Sequence, residues 1–346
     1  MLPDPHPGTT PSSAHRHGLR ALKGTGIAAI AAGCVALLIW VAPPREVLHQ
    51  IASMRVSWIA AAIGFELLSC CCYPVIFRRF FPEPPPRVAR RVAWISMGAG
   101  AVLPGGDISS AATTGLMLRS HGIGASRLAS RCIGMMTLMI LFGFFVNGVV
   151  ALWLLVGLPG GPHDLLKAGG PLLVSLGVLG GATAIMHAIR IRGDRASTLV
   201  QVIGGGIDSA WEHTRRPGLA VVGAAGFLLF DIGALFAAAT ATGHAIGLPA
   251  LMLAYFIGYL ATLIPVPAGI GVLDSGLSGC LVLYGMHAPA AVGAVLVYHA
   301  IAIWVPGLFG LAAWLPLRVS RRPEPSASSQ AEDAGMSGPP AAVRAA

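Results

Sequence analysis

The hydrophobic pattern of the chain consists of long apolar runs separated by short polar segments. A helix needs roughly 17–25 consecutive apolar residues to cross a ~30 Å hydrocarbon core. Six runs reach or exceed that length: 24–42, 57–77, 132–157, 169–189, 219–242 and 289–316. The pattern therefore predicts six full transmembrane helices in an all-α integral membrane protein.

Two further apolar regions, about 92–118 and 250–284, are interrupted by proline and glycine. The first divides at the letters PGG, directly before Asp107, into two short pieces. At ~1.5 Å per residue neither piece exceeds about 18 Å, which is too short to cross alone. Each region is either a re-entrant hairpin or a single broken span. The residues at the predicted breaks are Pro104, Gly105, Gly106, Pro265, Pro267, Gly269 and Gly271.

The distribution of positive charge separates these two possibilities. All 23 Lys and Arg residues lie outside the apolar cores. If the N-terminus is cytoplasmic and both regions are hairpins, 20 of them are cytoplasmic, and only Arg45, Arg55 and Lys167 are outside. If both regions cross once, the division becomes 13 against 10. Because cytoplasmic loops carry the excess of Lys and Arg, two re-entrant hairpins are favoured, the first entering from the cytoplasm and the second from outside.

This topology divides the chain into a cytoplasmic N-terminal tail (1–23), a transmembrane domain (24–316) and a disordered cytoplasmic tail (317–346). The composition agrees, since 55% of residues are hydrophobic and 11% charged, whereas soluble domains carry about 25% charged residues. The net charge of +9 is interpreted as a topology signal with some attraction to anionic lipids. No nucleic-acid partner is expected, because the basic residues are spread over loops without a reader motif.

The two interrupted regions resemble one another. The letters LPGGD in the first parallel VPAGI in the second. The separation from Pro104 to Gly122 also equals the separation from Pro267 to Gly285. Matching spacing and opposite entry sides predict an inverted-topology repeat, an architecture of transporters whose sites lie near the midplane where broken helices meet.

These regions also carry a resemblance to a known family. A P-G-G break, a short helix, a basic loop ending in Gly and the stretch LIPVPAGIGVLDSGLSGC resemble the lysylphosphatidylglycerol synthase transmembrane region, also called the flippase-like family. The resemblance covers about 20–320 and is more specific over about 250–316. Members commonly show P-x-P-G-G-x-G-x-x-E, so Asp274 stands where Glu is usual. His299 replaces a frequent Arg, and DISSAATTG in the first hairpin does not match the usual acidic and Arg residues.

The resemblance implies transport without synthesis. In the synthases of this family a soluble aminoacyl-transfer domain follows the membrane region, and the membrane region flips the aminoacylated lipid. The sequence ends shortly after its last predicted span, so no enzymatic activity and no cofactor are expected. The expected partners are membrane lipids and a separately encoded lipid-modifying transferase, in the cell membrane of a bacterium.

Four acidic residues fall at membrane depth: Glu66, Asp107, Asp231 and Asp274. An ionisable group there costs at least ~2.5–3.5 kcal/mol, so each is expected to face a cavity or a partner. No Lys or Arg lies within the spans to pair with them. We therefore expect these acids to be protonated, hydrated, or neutralised by helix ends and substrate.

Each acid has a structural interpretation beside the functional one. Asp107 precedes a helical pattern and is a good N-cap for the N–H of Ser109 or Ser110, while Asp274 is expected in the first turn of its half-helix. Both half-helix N-termini also suit a lipid phosphate. Glu66 and Asp231 have no break to cap, so they serve function or form a helix–helix hydrogen bond from a protonated acid.

The other polar residues, the cysteines and one amphipathic segment have mostly structural interpretations. Asn147 and His299 are more typical of interhelical contacts than of function, although His299 stays a candidate for substrate binding or proton coupling. The six cysteines are interpreted as reduced packing residues, with no metal site. Residues 196–214 are expected to form an amphipathic helix on the cytoplasmic surface.

Three functions are compatible with this pattern. The leading hypothesis is a lipid translocase that moves an amphiphile with a phosphate-bearing head group, with proton coupling through the buried carboxylates. The second is a secondary transporter of a small polar solute. The third is a non-transporting accessory protein of a lipid-modifying transferase. A laterally open groove with hydrophobic walls favours the first over the second.

Overall fold

The computed structural model describes residues 42–103, 105–192, 198–215, 218–260 and 271–319. This part of the chain is helical, with turns between the helices and no strands. Its α-helices are α1 (Pro44–Ala52), α2 (Val56–Phe80), α3 (Pro86–Val102), α4 (Asp107–Leu118), α5 (Ala125–Leu155), α6 (Gly170–Arg192), α7 (Thr198–Arg215), α8 (Leu219–Ala241), α9 (Leu248–Tyr259), α10 (Val272–Leu283) and α11 (Ala288–Val319).

Five helical segments are long and apolar enough to cross a membrane: Val56–Phe80, Ala125–Leu155, Leu165–Ile189, Leu219–Ala241 and Ala288–Pro316. They match five of the six predicted spans, and the chain is therefore a multi-pass membrane protein. The sixth predicted span, 24–42, lies outside the described residues except for Ala42. The terminal tails lie outside them too, apart from 317–319, which belong to α11.

The first interrupted region forms two helices that pack against each other. Helix α3 ends at Val102, and Gly105 and Gly106 follow with φ of 98° and 49°, which only glycine adopts at little cost. Helix α4 then begins at Asp107. The predicted break is confirmed at its two glycines; Pro104 is outside the described residues. One expectation was wrong: α3 has 17 residues and is longer than the apolar piece, because it begins within the basic segment at Pro86.

The second interrupted region also forms two packed helices, α9 and α10, of 12 residues each. They approach closely at Gly258, where an added Cβ would lie 2.7 Å from Leu277 Cα. Gly271, with φ of 85°, directly precedes α10. The other predicted breaks, at Pro265, Pro267 and Gly269, lie outside the described residues.

Helices α2 and α8 form an antiparallel pair with closely spaced backbones. A Cβ on Gly233 would lie 3.2 Å from the Phe65 ring, and one on Gly226 would lie 2.6 Å from Cys72 Sγ. Residue numbers thus rise along α2 as they fall along α8. This register places the middle of one helix opposite the middle of the other.

The helix contacts are symmetric between the two halves of the chain. Each half has a long helix, a packed helix pair and a second long helix: α2, α3–α4 and α5, then α8, α9–α10 and α11. Helix α11 packs along α3 as α5 packs along α9, and exchanging the two halves returns the same set of contacts. At the α3–α11 crossing a Cβ on Gly98 would lie 2.9 Å from Gly310 Cα.

Helices α6 and α7 pack against α5, and α1 packs against α11. Asn147 of α5 donates to Ser175 Oγ of α6 at 2.9 Å, which confirms an interhelical role for this residue. Helix α7 covers most of the predicted segment 196–214. Its Gly206 allows close approach, because a Cβ there would lie 2.8 Å from the Ser130 carbonyl oxygen.

Candidate functional site

Ionisable and hydroxyl side chains gather inside the bundle beside the apolar core of α8–α11. They come from α2, α8, α9, α10 and α11 and form two groups of contacts, which involve the adjacent residues Tyr298 and His299 of α11. The residues are Glu66, Asp231, Tyr255, Tyr259, Asp274, Tyr298 and His299. Four of the five candidates named from the sequence belong to this set, and Asp107 does not.

Asp231 of α8 is held by hydroxyl groups from two other helices. Tyr298 Oη of α11 donates to Oδ1 at 2.8 Å, and Tyr255 Oη of α9 donates to Oδ2. Tyr259 Oη lies 3.1 Å from Tyr298 Oη. Tyr259 is the donor of this hydrogen bond, because the Tyr298 hydroxyl already donates its hydrogen to Asp231. Both carboxyl oxygens of Asp231 therefore accept a hydrogen bond in a site that is 7% exposed.

Glu66 of α2 lies next to Asp231 of α8. The antiparallel register brings them together, since each sits midway along its helix. Cys70 Sγ, one turn along α2, donates weakly to Glu66 Oε1 at 3.5 Å. The second oxygen, Oε2, is buried and has no hydrogen-bond partner among the described residues.

Asp274 lies in the first turn of α10, as the sequence predicts. Its Oδ2 accepts from the Gly271 N–H at 2.9 Å, which satisfies one of the free donors of the helix N-terminus. Its Oδ1 accepts from His299 Nδ1 of α11. Both side chains are buried, so the contact is an ion pair whenever the imidazole is protonated. The sequence analysis considered Lys and Arg as partners for Asp274, whereas the structure places a histidine beside it.

Asp107 occupies a different environment from Asp274. The N-cap of α4 is Gly106, so Asp107 is the first helical residue and the capping role expected for it was wrong. The Ser110 N–H donates instead to the Gly106 carbonyl oxygen at 3.0 Å. The Asp107 side chain is exposed, on the helix pair that does not contribute to the buried set.

The tyrosines are the site residues that sequence reasoning missed. A signal was available, because four of the five tyrosines lie between 255 and 298. Tyr255 and Tyr259 are also one helical turn apart, which places both on one face of α9. Aromatic residues in an apolar helix are usually packing residues, and that interpretation overlooks the hydrogen bonds that tyrosine hydroxyl groups can donate.

The chain matches the profile of a known protein family. The profile of the lysylphosphatidylglycerol synthase TM region matches residues 26–310, more than half of the 346-residue chain. The chain belongs to this family. The match spans both helix pairs and every residue of the buried set, and the suspected resemblance is confirmed. No curated protein matches the chain.

This member of the lysylphosphatidylglycerol synthase TM-region family presents groups that exchange protons and bind charges. The family profile describes the transmembrane region of that synthase. Within the described ranges, no three His, Cys, Asp or Glu side chains gather as a metal site. The cysteines placed there are free thiols: Cys70, Cys71, Cys72, Cys132 and Cys280. The arrangement suits binding of a charged head group and of protons.

Two shallow apolar grooves lie on the helices of this family member, and none of the buried set lines them. One is a shallow, open surface along the outer face of α2, lined by residues between Ala61 and Cys71. The other, of ≈ 230 Å³, lies where α5, α6 and α9 meet and includes Phe144 and Phe256. The exposed surface of both grooves is apolar. Such walls suit acyl chains better than water.

Proposed function

We propose that this protein is a lipid translocase that moves an amphiphile with a phosphate-bearing head group between the leaflets of the cell membrane. The observation that carries the proposal is the buried contact between Asp274 of α10 and His299 of α11 in a multi-pass membrane protein. Ionisable groups at membrane depth are costly and usually mark a substrate or ion pathway.

The helix pairs provide the route in this proposal. Helices α9 and α10 have 12 residues each. A helix of that length spans about 18 Å, less than a ~30 Å hydrocarbon core, which supports a re-entrant hairpin from outside for α9–α10. The proposal assigns α3–α4, broken at Gly105 and Gly106, as the second hairpin, which enters from the cytoplasm. The symmetric exchange of contacts between the two halves supports an inverted repeat. Six spans then leave both termini in the cytoplasm.

The Asp274–His299 contact is the proposed head-group site. A protonated His299 attracts a phosphate, and Asp274 attracts an amine where the head group carries one. A head group that bears both charges replaces each partner of the contact, so neither buried charge is left alone during passage. The acyl chains remain in the lipid, beside apolar grooves such as the one along α2. These hydrophobic walls favour a lipid over a small polar solute.

Reconstitution into proteoliposomes tests this function. Fluorescent lipids with zwitterionic, anionic and uncharged head groups are compared for wild type, Asp274→Asn, His299→Gln and the control Glu46→Gln, which changes an exposed acid of α1. We expect wild type and Glu46→Gln to move the phosphate-bearing lipids faster than the uncharged lipid. Loss of one charge-assisted contact, about 1.5–3 kcal/mol, should slow the site variants roughly 10–100-fold.

Failure of translocation and failure of the assigned head-group site give different results. Background rates for every lipid with folded wild-type protein would overturn translocation and favour the accessory role. Equal rates for wild type and both site variants would show that the head group passes elsewhere.

A further inference from the structure

The pair of buried acids in the α2–α8 contact has no part in the head-group site described above. Glu66 is 5% exposed and Asp231 is 7% exposed, and their carboxyl groups are neighbours. Two ionised carboxylates side by side in an apolar interior repel each other strongly, because neither water nor a counterion screens them. One of the two therefore holds a proton.

On the described helices that surround this pair, no Lys or Arg side chain lies close to it. Helices α8, α9 and α10 contain no Lys or Arg, and the two arginines of α2 lie in its last turn. On α11, His299 is bonded to Asp274. The titratable groups that face the pair are Cys70 from α2, Tyr255 and Tyr259 from α9, and Tyr298 from α11. All four are neutral hydrogen-bond donors in their ordinary state.

The hydrogen bonds decide which acid carries the proton. Both oxygens of Asp231 already accept from tyrosine hydroxyls, an arrangement that stabilises the ionised carboxylate. Glu66 receives only the weak Cys70 thiol on Oε1, while Oε2 is buried without a partner among the described residues. An ionised Glu66 would leave that oxygen unsolvated, whereas a protonated Oε2 has a carboxylate beside it.

We propose that Glu66 and Asp231 form a proton-binding pair, with the proton on Glu66 Oε2 and the charge on Asp231, and that this pair is where a proton gradient drives transport. The coupling part of this inference rests on the proposed function. The proton enters from water on one side of the membrane, binds the Glu66 carboxylate, and leaves to water on the other side.

The protonation state of Glu66 changes the repulsion between α2 and α8. When Glu66 loses its proton, two like charges face each other across closely packed backbones at Phe65–Gly233 and Cys72–Gly226. Repulsion there favours separation of α2 from α8, and protonation restores their packing. Because α2 and α8 belong to different halves of the chain, the proton biases how the halves sit together.

Chemical labelling tests the proton position without any lipid substrate. Dicyclohexylcarbodiimide reacts with protonated carboxyl groups in apolar surroundings, and mass spectrometry identifies the modified residue. We expect Glu66 of the full wild-type chain to be labelled at neutral pH, with Asp231 and the exposed Glu46 unlabelled. Labelling of Glu66 should fall several-fold as the solution becomes alkaline. Labelling of Asp231 instead, or of neither acid, would overturn the assignment.

A second variant should shift the proton from Glu66 to Asp231 while both acids are retained. Tyr298→Phe removes one donor from Asp231 and so weakens its ionised form. Labelling at Asp231 should then appear and labelling at Glu66 should decrease. An unchanged pattern in folded Tyr298→Phe would contradict the role given to the tyrosines.

Coupling is tested in proteoliposomes with an imposed pH gradient. Wild type should move lipid several-fold faster with the gradient than without it, and Glu66→Gln, which mimics the protonated acid, should give a ratio of one. Labelled Glu66 with no lipid movement would leave the proton pair standing and refute the translocase. Lipid movement that ignores the gradient in wild type would refute coupling and leave the translocase standing.

Discussion

The two helix pairs share an architecture but differ in what they bury. The break of α3–α4 is followed by an exposed Asp107, whereas α9–α10 places Asp274 against His299 inside the bundle. The first pair packs through small and hydroxyl residues, such as Ser110 against Tyr73 at 3.2 Å. A shared framework therefore does not imply shared chemistry, because one ionisable residue on an inward face changes the role of a helix pair.

The largest expected effect comes from breaking the contact that distinguishes the second pair. Among the described residues, His299→Leu leaves the buried Asp274 with the Gly271 N–H as its one remaining hydrogen-bond partner. Removing one member of a buried pair costs about 3–5 kcal/mol, while replacing both by apolar residues is far milder. Thermal unfolding in detergent should show His299→Leu much less stable than wild type and the double variant with Asp274→Leu partly restored. Equal losses in the single and double variants would contradict this pairing.

A smaller effect should separate the packing of the two pairs. Gly258→Ala in α9 places a Cβ 2.7 Å from Leu277 Cα, a backbone atom that cannot move away alone. Gly115→Ala in α4 is the matched control, since nothing lies within 4 Å of its Cβ position. We expect the first change to destabilise the protein by about 1–3 kcal/mol through overpacking. The control should be neutral, or stabilising by up to about 1 kcal/mol through helix propensity. Similar unfolding temperatures for the two variants would show that α9 and α10 are not tightly packed.

The smallest effect concerns the surface link between the segment before α3 and helix α5. A hydrogen bond from Arg131 lowers the pKa of Glu83 below its ordinary value. A lowered folded-state pKa stabilises the protein above the unfolded pKa, and the gain disappears as pH falls through the folded value. Because the pair is partly exposed, solvent screening keeps its contribution below about 1 kcal/mol.

Unfolding temperatures of wild type and Glu83→Gln across the acidic range measure this link. Wild type should be slightly more stable at neutral pH, and the two proteins should converge in acid. An advantage of wild type that grows in acid would show the opposite sign of the pKa shift.

Sequence reasoning found the candidate acids but not their neighbours. Asp274 was correctly expected in the first turn of α10, yet its partner His299 belongs to the next helix. Glu66 and Asp231 lie in opposite halves of the chain. Hydropathy gives the depth of a residue along its own span, but whether two side chains face each other depends on the register and rotation of two helices. The capping role for Asp107 failed for a related reason, since two glycines with positive φ let Gly106 take the N-cap position.

The amino-acid sequence alone was enough to predict the membrane class, five of the spans, the interruption before Asp107 and the family. These properties follow from apolar length and from local backbone preferences, which act within one stretch of chain. Helix packing, in contrast, brings two tyrosine hydroxyls to Asp231 and places Glu66 beside it with an oxygen unpartnered among the described residues. Those contacts arise where helices from different parts of the chain pack, and that packing depends on side-chain fit across many positions at once.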